Sequence, residues 1–175
     1  MSILLLFLSQ LSAQKETKIS YSIFNEYGYY FSPLNIAKKP YSDYSSMNIG
    51  YTSVFINNIT LNKSMHIGLG VGFEFGSDIE MAVPVFFNFR NYFGNSERKF
   101  RPMVNAAVGF RPCINDYYYT DYIMPLPTAK NYLGIYSTMG GGFKAGIFSF
   151  HAAYFFKSTR HSYLMGLEMK FGLTF

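Results

Sequence analysis

A small set of side chains in this sequence has the chemistry of a hydrolytic site. The set comprises His66, His151, His161, Ser77, Ser162, Asp78 and Glu168. A nucleophilic serine needs a histidine base within hydrogen-bond reach, and that base needs an acidic residue to orient it. His161 and Ser162 are adjacent, so on a strand their side chains point to opposite faces and cannot form the required hydrogen bond. We therefore predict no catalytic site.

The cysteine content argues against a metal centre and against a disulfide framework. Cys113 is the single cysteine, so no internal disulfide can form. The sequence has no CxxC pair and no clustered His and Cys residues, so we predict no metal site and no cofactor. The stability of the fold must then come from apolar burial or from contact with lipid.

The composition is rich in aromatic residues and poor in charge. The 175 residues carry a net charge of +5, with 20% aromatic and 14% charged residues and no tryptophan. A soluble globular domain has about 25% charged residues. The mean hydropathy is +0.06. An alternating chain can give such a value when the hydropathy of an apolar face is offset by that of a polar face. The spacing of the apolar residues therefore decides which solvent the protein meets.

The dominant period of the sequence is two. Between Met65 and Phe75 every odd position is large and apolar, whereas the even positions include three glycines, His66 and Glu74. Similar alternation marks five further segments, at 79–90, 101–111, 133–145, 148–157 and 163–175, and two weaker segments precede them at 18–27 and 45–56, which makes eight strands. A strand of 9 to 11 residues is long enough to cross a bilayer when tilted. Proline at 84 and 102 would each remove one ladder hydrogen bond.

The nature of the two faces predicts an all-β, eight-stranded, antiparallel, up-and-down transmembrane β-barrel. The second face is built of Gly, Ala, Ser and Asn with scattered charges, which suits the narrow interior of an eight-stranded barrel. The bulky face would then meet lipid, and closure would leave no unpaired strand edge in the bilayer. A soluble sandwich, or a lipocalin-like barrel with its apolar face inward, is the alternative.

Nine charged residues fall on the small, polar face and would point into the lumen. They are Glu74, Glu80, Arg90, Arg101, Arg111, Lys144, Lys157, Glu168 and Lys170. A buried charge requires a partner or water, so we predict a packed network of salt bridges. A narrow pore is the alternative, and the excess of basic groups would make it prefer anions.

Alternating connections predict which segments lie at each end of the barrel. The outer loops would be 28–44, 76–78, 112–131 and 158–162, and the inner turns 57–64, 92–99 and 145–146. Aromatic residues near the strand ends would form the two interfacial girdles. The girdle candidates are Tyr27, Tyr44, Phe89, Tyr92, Phe93, Tyr132, Phe143, Tyr154, Tyr163 and Phe171.

The ends of the chain and one long loop carry the remaining signals. Residues 1–13 are uncharged, with an apolar run at 3–8, and have the layout of a secretory signal peptide cleaved after Ala13. The barrel domain would be 14–175. The loop at 112–131 contains Tyr117, Tyr118, Tyr119 and Tyr122, which are suited to anchoring an extracellular partner or to folding over the rim. The basic residues form no patterned stripe, so we predict no nucleic-acid partner.

Several motifs resemble a known family. The last strand has Leu167, Met169, Phe171, Leu173 and a terminal Phe175 on one face. Together with the segment 83–93, the Phe-Arg-Pro at 100–102 and the Gly-rich 139–143, it is similar to the small outer-membrane β-barrel domain proteins of Bacteroidetes, which are OmpA-like and OmpX-like barrels.

The resemblance implies a location in the outer membrane of a Gram-negative bacterium, with lipid as surroundings. It also implies that Phe171, Leu173 and Phe175 form part of the signal read by the barrel-assembly machinery. It implies no shared catalytic motif. Some eight-stranded outer-membrane barrels are lipid A-modifying enzymes, so a lipid-modifying hydrolase is kept as an alternative to a structural or adhesive scaffold.

Overall fold

The fold is built entirely of β-strands in the residues that the structure describes. The structure is a computed structural model that describes residues 19–37, 48–61, 63–76, 81–96, 98–115, 132–158 and 162–175. The strands are β1 (Ser20–Ala37), β2 (Asn48–Leu61), β3 (Met65–Gly76), β4 (Met81–Ala82), β5 (Val85–Tyr92), β6 (Phe100–Asn115), β7 (Tyr132–Ala145), β8 (Phe148–Ser158) and β9 (Ser162–Thr174). Within these ranges no helix has the length and apolarity needed to cross a membrane. The predicted signal peptide, residues 1–13, lies outside them.

All strand pairings are antiparallel, and the sheet closes on itself. β1 pairs with β2 on one side and with β9 on the other, where Phe24 lies opposite Thr174. β4 and β5 both pair with β3 and with β6, so they are two parts of one barrel strand. The result is a closed, eight-stranded antiparallel barrel, which confirms the predicted fold class.

The interruption between β4 and β5 occurs at Val83 and Pro84. Proline has no amide hydrogen and so cannot donate to the ladder. The neighbouring backbone groups are nevertheless paired: Gly72 N donates to Pro84 O at 2.9 Å, and Val83 N donates to Pro112 O at 2.8 Å. The sheet therefore continues past the proline with the loss of regular strand geometry at two residues.

The two faces of the sheet differ as the alternation predicts. The large apolar side chains cover the outer wall, where Tyr154 is 73% and Met139 71% exposed. Glycine, hydroxyl, amide and charged side chains face inward, together with a few aromatic rings. Because the bulky face points outward in the described strands, the soluble sandwich and the lipocalin-like arrangement are wrong.

Three strands run well past their predicted ends, whereas the other ends agree within two or three residues. β1 continues to Ala37, β2 to Leu61 and β6 to Asn115, so parts of the expected loop 28–44, turn 57–64 and loop 112–131 are strand. Residues 28–32 pair along β2, and this pairing outweighs the local turn signals of the sequence. The predicted turn at 145–146 is present, and Gly146 adopts a φ of 63° there.

Candidate functional site: the barrel lumen

The described lumen contains a connected group of five charged side chains. The group extends from the middle of the barrel toward the end that is opposite the chain termini. Glu74, on β3, lies at its centre. It accepts a hydrogen bond from Arg111 Nε at 2.7 Å, and Lys157 Nζ lies 2.7 Å from its other oxygen. All three side chains are fully buried. Charges so deeply buried are tolerated only when they are paired, and here two cations from β6 and β8 face one carboxylate.

The same group extends to β9. Lys157 Nζ lies 3.5 Å from Glu168 Oε2, and Lys170 Nζ donates to Glu168 Oε1 at 2.7 Å. Lys170 also donates to the hydroxyl of Tyr136 at 3.1 Å. We call Glu74, Arg111, Lys157, Glu168 and Lys170 the central network. It joins β3, β6, β8 and β9 across the interior.

A second ion pair crosses the lumen closer to the chain termini. Arg90 Nη2, on β5, lies 2.7 Å from Glu26 Oε1, on β1. His151 Nδ1 lies 3.9 Å from the same oxygen. The Arg90 guanidinium also stands 4.5 Å from the centre of the Phe24 ring. This pair fixes two strands that are not neighbours in the sheet.

Glu26 is a lumen residue that the sequence analysis missed. The segment 18–27 alternates weakly, so no faces were assigned to it. Its even positions hold Ser20, Ser22, Phe24 and Glu26, followed by Gly28. The serines and the glycine are small, polar-face residues, and their parity with Glu26 is the signal that would have placed this carboxylate inside.

Aromatic rings fill the space between the charged groups. Phe86 and Tyr136 contact each other with 5.0 Å between ring centroids, and Tyr30 and Phe155 do so at 5.5 Å. Lys157 Nζ stands 4.0 Å from the Tyr30 ring centre, so the second aromatic pair packs directly on the central network. These rings make the lumen a packed interior.

Lumen glycines provide the room for these rings. A Cβ atom on Gly70 would overlap the Phe86 ring, and one on Gly50 would overlap the Tyr30 ring. Gly50 on β2 and Gly70 on β3 therefore have a packing role, because a larger side chain at either position would displace a ring from the interior.

Tyr92 corrects the predicted girdle. Its place near a strand end suggested a rim position, but its side chain is only 2% exposed and lies in the lumen. It contacts His66 edge-on with 5.1 Å between centroids, and Arg101 stands 5.3 Å from its ring centre. Tyr92 has the same even parity as Phe86, Asn88 and Arg90, which are also buried, so its lumen position continues the alternation of β5.

The residues considered for hydrolysis do not form a triad in the described part of the chain. His66 Nδ1 lies 2.9 Å from Thr60 Oγ1 and 3.1 Å from Ser22 Oγ. No described carboxylate forms a salt bridge with His66. His151 Nδ1 lies 3.9 Å from Glu26 Oε1 and has no hydrogen-bond partner among the described residues. Ser77, Asp78, His161 and the side chain of Ser162 lie outside the described residues.

The other predicted site residues lie at different places. Arg101 and Lys144 lie at the barrel end that carries the chain termini, and Phe171, Leu173 and Phe175 lie on the outer wall. Glu80 and the loop residues Tyr117, Tyr118, Tyr119 and Tyr122 are outside the described residues, as is Tyr44. Over the described ranges, no three His, Cys, Asp or Glu side chains are grouped so that they could hold a metal ion.

No protein-family model and no curated protein matches the sequence. Among solved structures, the N-terminal β-barrel domain of Pseudomonas aeruginosa OprF is similar, with a TM-score of 0.54 and 13% identity over 91% of this chain and 100% of that one. Neisserial surface protein A (NspA) is similar with a TM-score of 0.56 and 9% identity, over 89% of this chain and 97% of that one. At this identity the likeness shows the fold alone, which is an outer-membrane-type barrel.

Proposed function

We propose that the chain is an integral outer-membrane protein of a Gram-negative bacterium whose barrel is a non-conducting, non-enzymatic scaffold. The observation that carries this proposal is the filled lumen. Tyr136, Arg111 and Lys157 are each 0% exposed although they line the interior of an eight-stranded barrel. Aromatic rings and paired charges pack against each other in the interior, so an ion entering the barrel would have to break salt bridges and displace rings.

The outer wall supports the membrane location. Phe73, Val108 and Met169 are more than half exposed, and similar side chains surround the barrel. An exposed apolar surface of this extent is unfavourable in water and matches the lipid-facing band of a transmembrane barrel. Tyr27, Phe93, Phe143, Tyr154, Tyr163 and Phe171 are exposed girdle candidates.

The proposal includes the route to the membrane and the outward-facing partner. Residues 1–13 would direct export, and the assembly machinery would read the last strand with Phe175. A scaffold of this kind acts through its loops, so an extracellular partner would meet the segment 112–131 with its four tyrosines. The origin in Bacteroidetes rests on the family resemblance of the segments at 83–93, 100–102 and 139–143.

Planar-bilayer recording tests the filled lumen against the pore alternative. We expect the folded protein, identified by a band that changes mobility on boiling, to give no conductance steps in 1 M KCl. Conductance steps that persist in a variant in which the segment 117–124 is deleted would show a conducting lumen.

Mass spectra of lipid A test the hydrolase alternative. We expect the spectra to be unchanged after overexpression, since the described residues contain no triad. Altered spectra would support the hydrolase.

A further inference from the structure

A group of basic residues occupies the barrel end where the chain termini lie. Lys63 is in the turn between β2 and β3, Arg98 and Lys99 are in the connection between β5 and β6, and Arg101 and Lys144 lie directly opposite each other on β6 and β7. We call these five residues the basic rim. Lys63, Arg98 and Lys99 are exposed, and Lys144 is half-buried.

Hydrogen bonds hold the parts of the basic rim together. Arg101 Nη1 donates to Lys63 O at 3.0 Å, and Arg101 Nη2 donates to Ser64 Oγ at 2.9 Å. The turn between β7 and β8 joins the same surface, because Gly146 N donates to Lys99 O at 3.0 Å. Three connections of the barrel are therefore tied into one preformed cationic surface.

No described glutamate forms a salt bridge with this surface. The described glutamates are Glu26, Glu74 and Glu168, and their salt bridges go to Arg90, His151 and the cations of the central network. Like charges directly opposite each other on neighbouring strands repel. Arg101 and Lys144 form such a pair, and both stand within 6 Å of the Tyr92 ring centre. An external anion would relieve this repulsion.

An aromatic row on the outer wall lies beside the basic rim. Successive ring centroids are 5.0, 5.7 and 4.8 Å apart along Phe100, Phe143, Phe150 and Phe171. Phe100 lies between Lys99 and Arg101 in the chain, and Phe143 precedes Lys144. Because side chains alternate along a strand, the cations turn toward the lumen mouth and the rim while the rings turn outward.

The basic rim and the aromatic row together match the two chemical parts of a phospholipid. An anionic phospholipid has a phosphate at the height of the membrane surface and acyl chains directly below it. Arg and Lys bind phosphate through charge-assisted hydrogen bonds, and apolar phenylalanine rings pack favourably against acyl chains. We propose that the basic rim binds the phosphate headgroup of an anionic phospholipid whose chains lie along the aromatic row. This inference rests on the proposed function, since it requires the barrel to span a membrane.

Native mass spectrometry of the full chain in neutral detergent tests the inference, with phosphatidylglycerol as the probe and phosphatidylethanolamine as the zwitterionic control. We expect retention of phosphatidylglycerol in preference to phosphatidylethanolamine. R98Q/K99Q should weaken that binding by at least tenfold, because each surface cation contributes about fivefold to affinity for anionic lipid. K38Q/K39Q, which removes the same charge between β1 and β2, should change the affinity by less than twofold.

Three results would overturn the inference. The first is equal retention of phosphatidylglycerol and phosphatidylethanolamine. The second is an equal loss of phosphatidylglycerol affinity in R98Q/K99Q and K38Q/K39Q. The third is full displacement of the lipid by inorganic phosphate at equal concentration, which would identify a site for a soluble anion. Membrane extraction and gel mobility of the same sample separate the two proposals. A barrel that is intact in the membrane without lipid preference contradicts the inference alone, whereas a soluble protein contradicts both.

Discussion

Glu26 and Arg90 form an ion pair across the barrel lumen, with 2.7 Å between Glu26 Oε1 and Arg90 Nη2. Both side chains are almost fully buried, and they belong to β1 and β5, which share no hydrogen-bonded ladder in the described sheet. The pair therefore ties opposite walls of the barrel together, and each partner depends on the other for neutralisation.

Removing one partner of this pair should be more damaging than removing both. E26Q leaves the Arg90 charge buried without its carboxylate, and the expected cost is about 3 to 5 kcal/mol in the free energy of unfolding. E26Q/R90M removes both charges and should recover part of that loss. Urea titration in lipid vesicles, followed by the fraction of the folded band on unboiled gels, measures both values. A double variant no more stable than E26Q would contradict the pairing.

The contact between Gly70 and Phe86 gives a second prediction. G70A places a methyl group where the Phe86 ring lies, and such overpacking should lower the free energy of unfolding by about 1 to 3 kcal/mol. Adding F86L should reverse part of the loss, because the smaller side chain frees the space. G141A is the matched control, since Gly141 faces outward and the only described atom near its added Cβ is Met103 O at 3.3 Å. Equal losses in G70A and G141A would show that the lumen is not tightly packed there.

A substitution of the terminal residue, Phe175, distinguishes an effect on barrel assembly from an effect on barrel stability. Phe175 N donates to Ile23 O and Ile23 N donates to Phe175 O, each at 2.9 Å, while the Phe175 side chain is 69% exposed. F175A keeps both backbone bonds and removes one ring from the lipid-facing wall, so we expect its unfolding free energy to fall by about 1.5 to 3 kcal/mol, and that of F148A to fall by a similar amount. If the side chain is an assembly signal, the same variant should reduce the outer-membrane yield in cells. F148A, which removes another exposed aromatic at the same end, should assemble normally, and a matching deficit would contradict a specific signal.

Alternation alone was sufficient to predict the architecture. The residues from Met65 to Phe75 and from Phe148 to Lys157 alternate so regularly that only one register places every large side chain on the same wall, and a one-residue slip would invert it. The chemistry of the second face then distinguished a barrel interior from a solvated surface. Those two properties are local, so a single sequence contains them.

The detail of the lumen depends on pairings that no single segment contains. Glu26 was missed because β1 alternates weakly and its partner Arg90 lies 64 positions later in the sequence. Tyr92 shares the parity of the buried Arg90, which places it inside, whereas its packing on the His66 ring of β3 depends on the fold. The extensions of β1 and β2 follow from their mutual pairing, which outweighs the turn preferences of Asn57 and Asn58.

The most direct test of the account compares Phe86 with Phe87, which are consecutive residues at one depth on opposite faces of β5. Phe86 is 3% exposed and Phe87 is 46% exposed. The chain has no tryptophan, so F86W and F87W are each single reporters for fluorescence quenching by brominated lipids, and Y136W is a second lumen reporter should F86W not fold.

In membranes, with folding checked by gel mobility, we predict strong quenching of F87W and little quenching of F86W or Y136W. Equal quenching of the two faces, or stronger quenching of the lumen reporters, would contradict a membrane-spanning barrel with a filled interior.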